Sequence, residues 1–366
     1  MSIDGRINAR QLAWLVITIQ TSVVITLVAS IDAGARQDAW ISELLGMLLM
    51  IFAAYVIITT GLRFQNKSLY QYLPLVYGKV LGTLLGLGYL WFFLFMTATL
   101  VRELGEFILT VFIPETPIIV VIGMFVLTCA YGVYMGIETI VRINDILLPV
   151  VLLMIFSLWL LVFQEVNFDN LRPVVLETGP IPIIRGGIVV LAGFMLGIAI
   201  AVLFPYVEKR ALAFPFVTIG LLVKGFIIAT TVVFVIGVLG VNQAEMVNFK
   251  GLSLVRIISV ADFFERLDPL VMLVWVGAFF IKVSVFYYCF VIGVGQILKT
   301  EKVTRLVLPA AALIIALSIG SFENFSQLMD FHQRGKVLHN YFFILVIPVT
   351  TLFLAIVRNK KEEGGR

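Results

Sequence analysis

Residues 185–210 read RGGIVVLAGFMLGIAIAVLFPYVEKR, and the apolar part of this stretch is long enough to span a bilayer. Glycine costs about 1 kcal/mol relative to alanine inside a helix, so Gly193 and Gly197 create a weak point near the middle of the span. A helix that opens there frees backbone carbonyls and amides, which hydrocarbon tolerates only beside a cavity or a ligand. Broken helices of this kind are typical of secondary transporters. Close packing of two membrane helices is the alternative reason for small residues here.

The composition indicates a polytopic membrane protein. Of 366 residues, 61% are hydrophobic and 13% are charged, whereas soluble domains have roughly half and a quarter. The net charge of +4 belongs to short loops between apolar spans, so we expect lipid headgroups, and not nucleic acid, as the counter-charge. Cys129 and Cys289 lie inside apolar runs, and the sequence shows neither a metal-ligand cluster nor a nucleophile triad. We therefore expect neither an enzyme nor a cofactor.

Ten apolar segments are predicted to cross the membrane. They cover residues 11–32, 40–60, 80–105, 117–133, 139–163, 187–206, 212–240, 270–298, 304–321 and 338–357. An even number of spans returns both termini to one side. Most lysines and arginines lie in the loops of that side, so both termini are predicted to be cytoplasmic.

The first segment carries a polar interruption at Gln20, Thr21 and Ser22. Hydroxyl groups can bond back to their own helix and bend it, or they can bind a ligand, and both interpretations stay open. Five helices separate this interruption from the glycine-rich one in the sixth segment, as two inverted repeats would require. The chain is thus interpreted as a single transmembrane domain, residues 1–366. Its predicted parts are repeat one at about 8–165, a loop at 166–184, repeat two at 185–358 and a cytoplasmic tail at 359–366.

Two lysines lie within the predicted spans, Lys224 in LLVKGFII and Lys282 in FFIKVSVF. An ammonium group at the bilayer centre costs at least about 2.5 kcal/mol and usually faces a cavity, a partner or an ion path. Both lysines are too far from the ends of their spans for the side chain to reach the membrane surface. We therefore expect each to have a functional role or a buried partner.

Other polar groups near the ends of spans are expected to be solvated. Arg102 and Glu106 have the spacing of a helical ion pair at the outer surface, and Glu103 is interpreted as part of the same solvated helix end. His332 and His339 are interpreted as solvated residues of the last outer loop, or of its edge.

Four strings carry a resemblance to a known family. They are INARQLAWLVITIQT from residue 7, ARQDAWISELLGMLL from residue 35, NFDNLRPVV from residue 167 and LFPYVEKR from residue 203. With ten spans and two interruptions, the sequence resembles the spore-germination permeases over essentially its whole length. These are the B-type subunits of germinant receptors, within the amino acid, polyamine and organocation superfamily.

The resemblance implies an all-α, leucine-transporter-like fold of two inverted five-helix repeats with helices 1 and 6 interrupted. It implies a site for a small nutrient such as an amino acid, and assembly with A- and C-type subunits in the inner membrane of the spore or in the cell membrane. The ligand-binding residues expected from it are Gln20, Thr21, Ser22, Val23, Thr97, Gly193, Phe194, Met195 and Gly197. Coupling to an ion or proton is expected at Lys282, Ser284 and Lys224. The glycines usual in helix 1 of the superfamily are missing here, which makes unwinding of that helix costlier.

Three functions remain open at this point. The first is a nutrient-sensing receptor subunit that signals to partner subunits. The second is an amino-acid symporter driven by protons or sodium, and the third is a structural membrane subunit whose pocket is vestigial.

Overall fold

Long apolar helices dominate the structure, because backbone polar groups in hydrocarbon must be satisfied within their own segment. The computed structural model describes residues 5–21, 30–175, 177–194, 196–247, 249–257 and 268–361. In these ranges, nine helical segments are long and apolar enough to cross a membrane. The extended pairing found in the same ranges is one isolated parallel bridge between Ile7 and Val207.

The first half of the chain contributes six helices. They are α1 (Ala9–Thr21), α2 (Ala39–Arg63), α3 (Leu69–Tyr77), α4 (Lys79–Val111), α5 (Ile118–Met135) and α6 (Ile137–Val162). The short helix α3 begins with a capping box in which the side chains of Ser68 and Gln71 bond to each other's backbone amides. It ends at Gly78, whose φ of 87° turns the chain directly into α4.

The second half contributes the remaining helices. They are α7 (Pro180–Ala192), α8 (Leu196–Leu203), α9 (Ala213–Met246), α10 (Lys250–Ile257), α11 (Asp268–Leu298), α12 (Val307–Gly320), α13 (Phe325–Asp330), α14 (Lys336–Tyr341) and α15 (Ile347–Val357). Turns of the wider π type, Phe331–Gly335 and Phe342–Val346, join α13, α14 and α15 into one continuous helix, which we call the last helix. The predicted outer loop before residue 338 is therefore largely helical.

The helix bundle has two ends, which we name for what they hold. The terminal face is the end with Ile7, Arg63, Val207 and Arg358. There the Arg63 guanidinium donates to the carbonyls of Ala355 and Lys360, both at 3.4 Å. The loop face is the opposite end, with residues 163–179.

Helix α7 packs tightly against α2, and glycines permit the close approach. A Cβ added at Gly186 would lie 2.5 Å from the Ser42 hydroxyl oxygen, and one added at Gly46 would lie 2.3 Å from Val190. Close packing thus explains the glycines at the start of the sixth segment, whereas Gly193 lies where the helix is interrupted.

Residues 163–175 and 177–179 form an ordered cap on the loop face of the bundle. Gln37 Nε2 donates to the carbonyl of Pro173 at 3.1 Å, and both Asp38 carboxylate oxygens accept the Val175 amide at 3.0 and 3.1 Å. Asn170 donates to a carbonyl of α9 at 2.9 Å. Two of the four strings that carry the family resemblance, ARQDAW and NLRPVV, therefore contact each other on the loop face.

Candidate functional site

The sixth segment is interrupted where the sequence predicts. Helix α7 ends at Ala192 and α8 begins at Leu196, with Gly193 and Phe194 between them. The amide of Gly193 bonds to the Val190 carbonyl at 3.0 Å, and that of Phe194 bonds to the Leu191 carbonyl at 2.8 Å, so the chain tightens before it leaves the helical path. Met195 lies outside the described residues.

The side chain of Phe194 fills the space beside this interruption. It is fully buried, and its ring lies 2.5 Å from the position of a Cβ added at Gly197. Ile57 of α2 would lie 3.1 Å from the same Cβ. Three predicted ligand-binding residues, Gly193, Phe194 and Gly197, are thus brought together, with a glycine where the phenylalanine ring needs room.

One carbonyl freed by the interruption is bound by the last helix. The Nδ2 atom of Asn340 donates to the Ala192 carbonyl at 2.8 Å, and its Oδ1 atom lies 3.1 Å from His339 Nδ1. Asn340 is fully buried. The sequence interpretation missed this residue, although a lone asparagine in the apolar span 338–357 was a usable signal.

The described part of the first segment, α1, includes Gln20 and Thr21 of the predicted polar interruption. Thr21 donates its hydroxyl to the carbonyls of Ile17 and Thr18 at 2.7 and 3.3 Å, which is the helix-bending pattern. Gln20 is buried, and its Nε2 atom has no hydrogen-bond partner among the described residues. Ser22 and Val23, the other two predicted ligand-binding residues here, fall outside the described ranges.

A narrow groove with an internal volume of about 50 Å³ lies next to Thr21 of α1. Its walls come from α6, α9, α10 and α11, and among the described residues no charged side chain lines it. The main lining groups are Thr21, Trp159, Phe234, Trp275 and Ala278. The groove therefore suits an apolar group more than a carboxylate.

Two further predicted residues point elsewhere. Thr97 is buried on α4, where its hydroxyl donates to the Phe93 carbonyl of the same helix at 2.6 Å. Ser284 is buried on α11 and faces α5, since a Cβ added at Gly132 would lie 3.7 Å from its hydroxyl oxygen. The contacts described for these two side chains are thus with α4 and α5.

Lys224 of α9 has a buried partner on α2. Its ammonium lies 3.5 Å from Glu43 Oε2, and both side chains are 4% exposed. The other oxygen of Glu43 accepts the Ser30 hydroxyl at 2.9 Å, so the carboxylate also holds the chain just before α2. The sequence interpretation expected a partner or a function for Lys224 but did not identify Glu43. An acid in the apolar run WISELLGML was the available signal.

A second charged cluster lies between α4, α11 and the last helix. Glu103 Oε2 is 3.5 Å from His332 Nε2, with side chains 3% and 4% exposed. Lys336 Nζ is 3.1 Å from His332 Nδ1, and Lys282 is an electrostatic neighbour of both Glu103 and Lys336. The expectation that Glu103 and His332 are solvated was wrong, because the helical start of the last helix covers Glu103.

The other polar residues predicted to be solvated near the ends of spans are also less exposed than expected. Arg102 does pair with Glu106, at 2.7 Å, but the two side chains are only 6% and 15% exposed. The guanidinium also donates to the Ser318 and Ile319 carbonyls at the end of α12, both at 3.3 Å. His339 is partly buried and stacks on the Phe92 ring of α4, so it too is not a solvated loop residue.

The first and sixth segments are tied together at the terminal face. The Ile7 amide donates to the Tyr206 carbonyl at 2.9 Å, and the Glu208 amide donates to the Ile7 carbonyl at 2.8 Å. Gln11 at the start of α1 donates to Asp145 of α6 at 2.7 Å. The other two family strings, INARQLAW and LFPYVEKR, thus contact each other here.

Comparison with known proteins identifies the family. The family model described as spore germination protein, of the spore permease type, matches residues 6–326. The chain belongs to the spore permease family. Spore germination protein KB of Bacillus subtilis (strain 168) is 28% identical to this spore permease over 367 residues, covering 99% of this chain and 98% of the relative. Spore germination protein XB of Bacillus anthracis is 24% identical, covering 93% and 94%.

Solved structures of symporters share the fold of this spore permease. A Na⁺-coupled sialic acid symporter in a substrate-bound, outward-open state matches 96% of this chain and 78% of its own, with a TM-score of 0.63 and 14% identity. Mhp1, a nucleobase-cation-symport-1 family transporter in a closed conformation with bromovinylhydantoin bound, covers 94% and 80%, with a TM-score of 0.59 and 13% identity. The all-α, leucine-transporter-like fold expected from the sequence is confirmed. The spore permease is accordingly an integral membrane protein, and its family and fold are not those of an enzyme.

Proposed function

We propose that this spore permease is the B-type subunit of a germinant receptor, which binds a small nutrient such as an amino acid at its interrupted helices. The observation that carries this proposal is the interruption between α7 and α8, held beside α2 and the last helix in a transporter-like fold. Peptide groups near such an interruption can bind a ligand directly.

Buried polar atoms of α1 support a ligand on the opposite side of the site. Gln20 Nε2 and the Thr18 hydroxyl are both buried and have no hydrogen-bond partner among the described residues. Buried donors without a partner cost about 1–3 kcal/mol each, and a polar ligand would remove that cost. The adjacent groove, walled by Trp159 and Trp275, suits an apolar side chain of the same ligand.

The proposal includes signalling and location. Binding shifts the fold between conformations, and the change passes through helix faces and short loops to A- and C-type subunits. The protein lies in the inner membrane of the spore, or in the cell membrane, with lipid around the helices and both termini in the cytoplasm. The basic residues Arg63, Arg210 and Arg358 bond at the terminal face, which supports this orientation under the positive-inside rule.

Ligand-induced thermal stabilisation of the purified full chain in detergent tests the proposal. Each of the twenty amino acids is added in turn, and a true ligand at 100 times its Kd stabilises the folded state by about 2.7 kcal/mol. Gln20→Leu should weaken the effect, whereas Lys302→Met, at an exposed position, should leave it unchanged. Failure of every amino acid would instead support a structural subunit with a vestigial pocket.

A symporter is the second candidate, favoured by the likeness to a Na⁺-coupled symporter. In a symporter, Lys224, Lys282 and Ser284 would couple transport to a proton or sodium ion. Uptake of labelled amino acids into proteoliposomes, with a proton or sodium gradient imposed separately, distinguishes the two functions. Accumulation driven by either gradient would establish transport, and binding without accumulation would establish a sensor.

A further inference from the structure

Four titratable side chains from three helices converge outside the interruption of the sixth segment. Glu103 belongs to α4, Lys282 to α11, and His332 and Lys336 to the last helix. Glu103, Lys282 and His332 are buried, and Lys336 is partly buried. His332 lies in a π turn, a local distortion that occurs frequently at functional sites.

The protonation of the histidine follows from its neighbours. Lys336 Nζ lies 3.1 Å from His332 Nδ1, and because an ammonium can only donate, Nδ1 is the acceptor. The proton of a neutral imidazole is then on Nε2, which faces Glu103 Oε2 at 3.5 Å. Glu103 is thus the negative group next to both the imidazole and the ammonium of Lys336.

Lys282 is a second cationic side chain in the electrostatic surroundings of this carboxylate. Its electrostatic neighbours are Glu103 and Lys336, and its Nζ atom lies 5.2 Å from the centre of the Phe279 ring. With the imidazole neutral, the four side chains sum to one positive charge. A buried charge is stabilised by an opposite charge and by hydrogen bonds, and a single monovalent anion would supply both.

We infer that this cluster is an anion site, which binds the carboxylate of a small organic acid through Lys282 and Lys336. The inference rests on the proposed function and deepens it, because the acid would be the nutrient itself. Ala278, which lines the apolar groove, is four residues before Lys282 on the same side of α11, about 6 Å along its axis. An amino acid whose carboxylate binds Lys282 therefore has its side chain close to the apolar groove. The site should prefer amino acids with apolar side chains.

Acetate is the probe, because it carries the carboxylate without the rest of an amino acid. Sodium acetate replaces sodium chloride at constant ionic strength and pH 7, and the Tm of the purified full chain is followed. A saturable rise in Tm is expected for the wild type. Lys282→Met should weaken apparent acetate affinity by about tenfold or more, and Lys302→Met should not change it.

Further variants keep the test independent of folding defects. Lys282→Met should be at least as stable as the wild type without acetate, because it removes the surplus buried charge. Lys282→Arg keeps the charge and should retain an acetate response, while Lys336→Met should reduce it. The absence of a saturable response in the wild type, or an equal response in Lys282→Met, would overturn the anion site.

The two proposals fail in different ways. If an amino acid stabilises the protein, and Lys282→Met leaves that stabilisation unchanged, the nutrient site stands and the anion site falls. If acetate binds through Lys282 while no amino acid binds, the anion site stands as a site for other organic acids and the nutrient proposal falls. Replacing an active amino acid by its uncharged amide should weaken stabilisation of the wild type, and if the anion site is correct the same replacement should change little in Lys282→Met.

Discussion

Replacing Glu43 by glutamine should strongly destabilise the spore permease, because it leaves the Lys224 ammonium buried without a carboxylate. The two groups are 3.5 Å apart and 4% exposed, and they connect α2 to α9. Glutamine preserves the shape of the side chain and can still accept the Ser30 hydroxyl, which Glu43 accepts at 2.9 Å. The substitution therefore removes charge with little change in packing.

The loss of unfolding free energy can be estimated in two ways. Breaking a buried ion pair by removing one partner costs about 3–5 kcal/mol. The partner that remains can also become neutral. At pH 7, deprotonating an ordinary lysine costs about 4.6 kcal/mol, and protonating an ordinary glutamate costs about 3.7 kcal/mol. We expect Glu43→Gln to lower the free energy of unfolding by about 4 kcal/mol and Lys224→Met to lower it by about 3 kcal/mol. The double variant buries no unpaired charge, so it should lose little more than the altered packing costs.

The two single variants should respond to pH in opposite directions. In Glu43→Gln the unfolded chain binds the lysine proton and the folded chain does not, so stability rises with pH by up to about 1.4 kcal/mol per unit. In Lys224→Met the folded chain holds the glutamate proton and the unfolded chain does not, so stability falls as pH rises and recovers as it is lowered.

Denaturant titration in mixed micelles, repeated from pH 6 to pH 9, measures these free energies of unfolding relative to the wild type. Lys302→Met is the control for the loss of one exposed lysine. Single variants within about 1 kcal/mol of the wild type at every pH, or two pH slopes of the same sign, would refute the reasoning.

Three other substitutions test the packing of the site and the cap. Gly197→Ala places a Cβ 2.5 Å from the phenylalanine ring three residues earlier and should lower stability by about 1–3 kcal/mol, whereas Gly123→Ala, with nothing within 4 Å, should be neutral in the same thermal assay. Asn340→Leu leaves the carbonyl at the end of α7 unbound and should cost about 1–3 kcal/mol, measured as a lower Tm; no change would contradict the assigned hydrogen bond. Asp38→Ala should speed hydrogen exchange at the Val175 amide, and unchanged protection would show that the carboxylate does not hold the cap.

The spans and the interruption at Gly193 could be predicted because both depend on local properties of the chain. Twenty apolar residues specify a membrane helix whatever its neighbours are, and glycine weakens a helix from within. The start of the last helix at Phe325 could not be predicted in this way. Its polar residues, such as His332, face Glu103 across the bundle, and a hydropathy sum cannot distinguish a polar group facing protein from one facing water.

The sequence alone could not predict which residues of different helices contact each other. Lys224 and Glu43 are 181 positions apart, and Asn340 and the Ala192 carbonyl are 148 apart. The composition shows that a buried lysine needs a partner, but several acids could have supplied it until the helices were placed. The strings that carry the family resemblance were informative in another way, since those at residues 7 and 203 proved to be contact partners.

The backbone bridge between Ile7 and Val207 restricts how this protein can open toward the terminal face. Sliding α1 away from α8 would rupture two peptide hydrogen bonds at once, whereas swinging both helices together would rupture neither. Because main-chain atoms make the link, side-chain variation leaves it intact. The segments on either side of this bridge, α1 and α8, should therefore move together as one rigid unit.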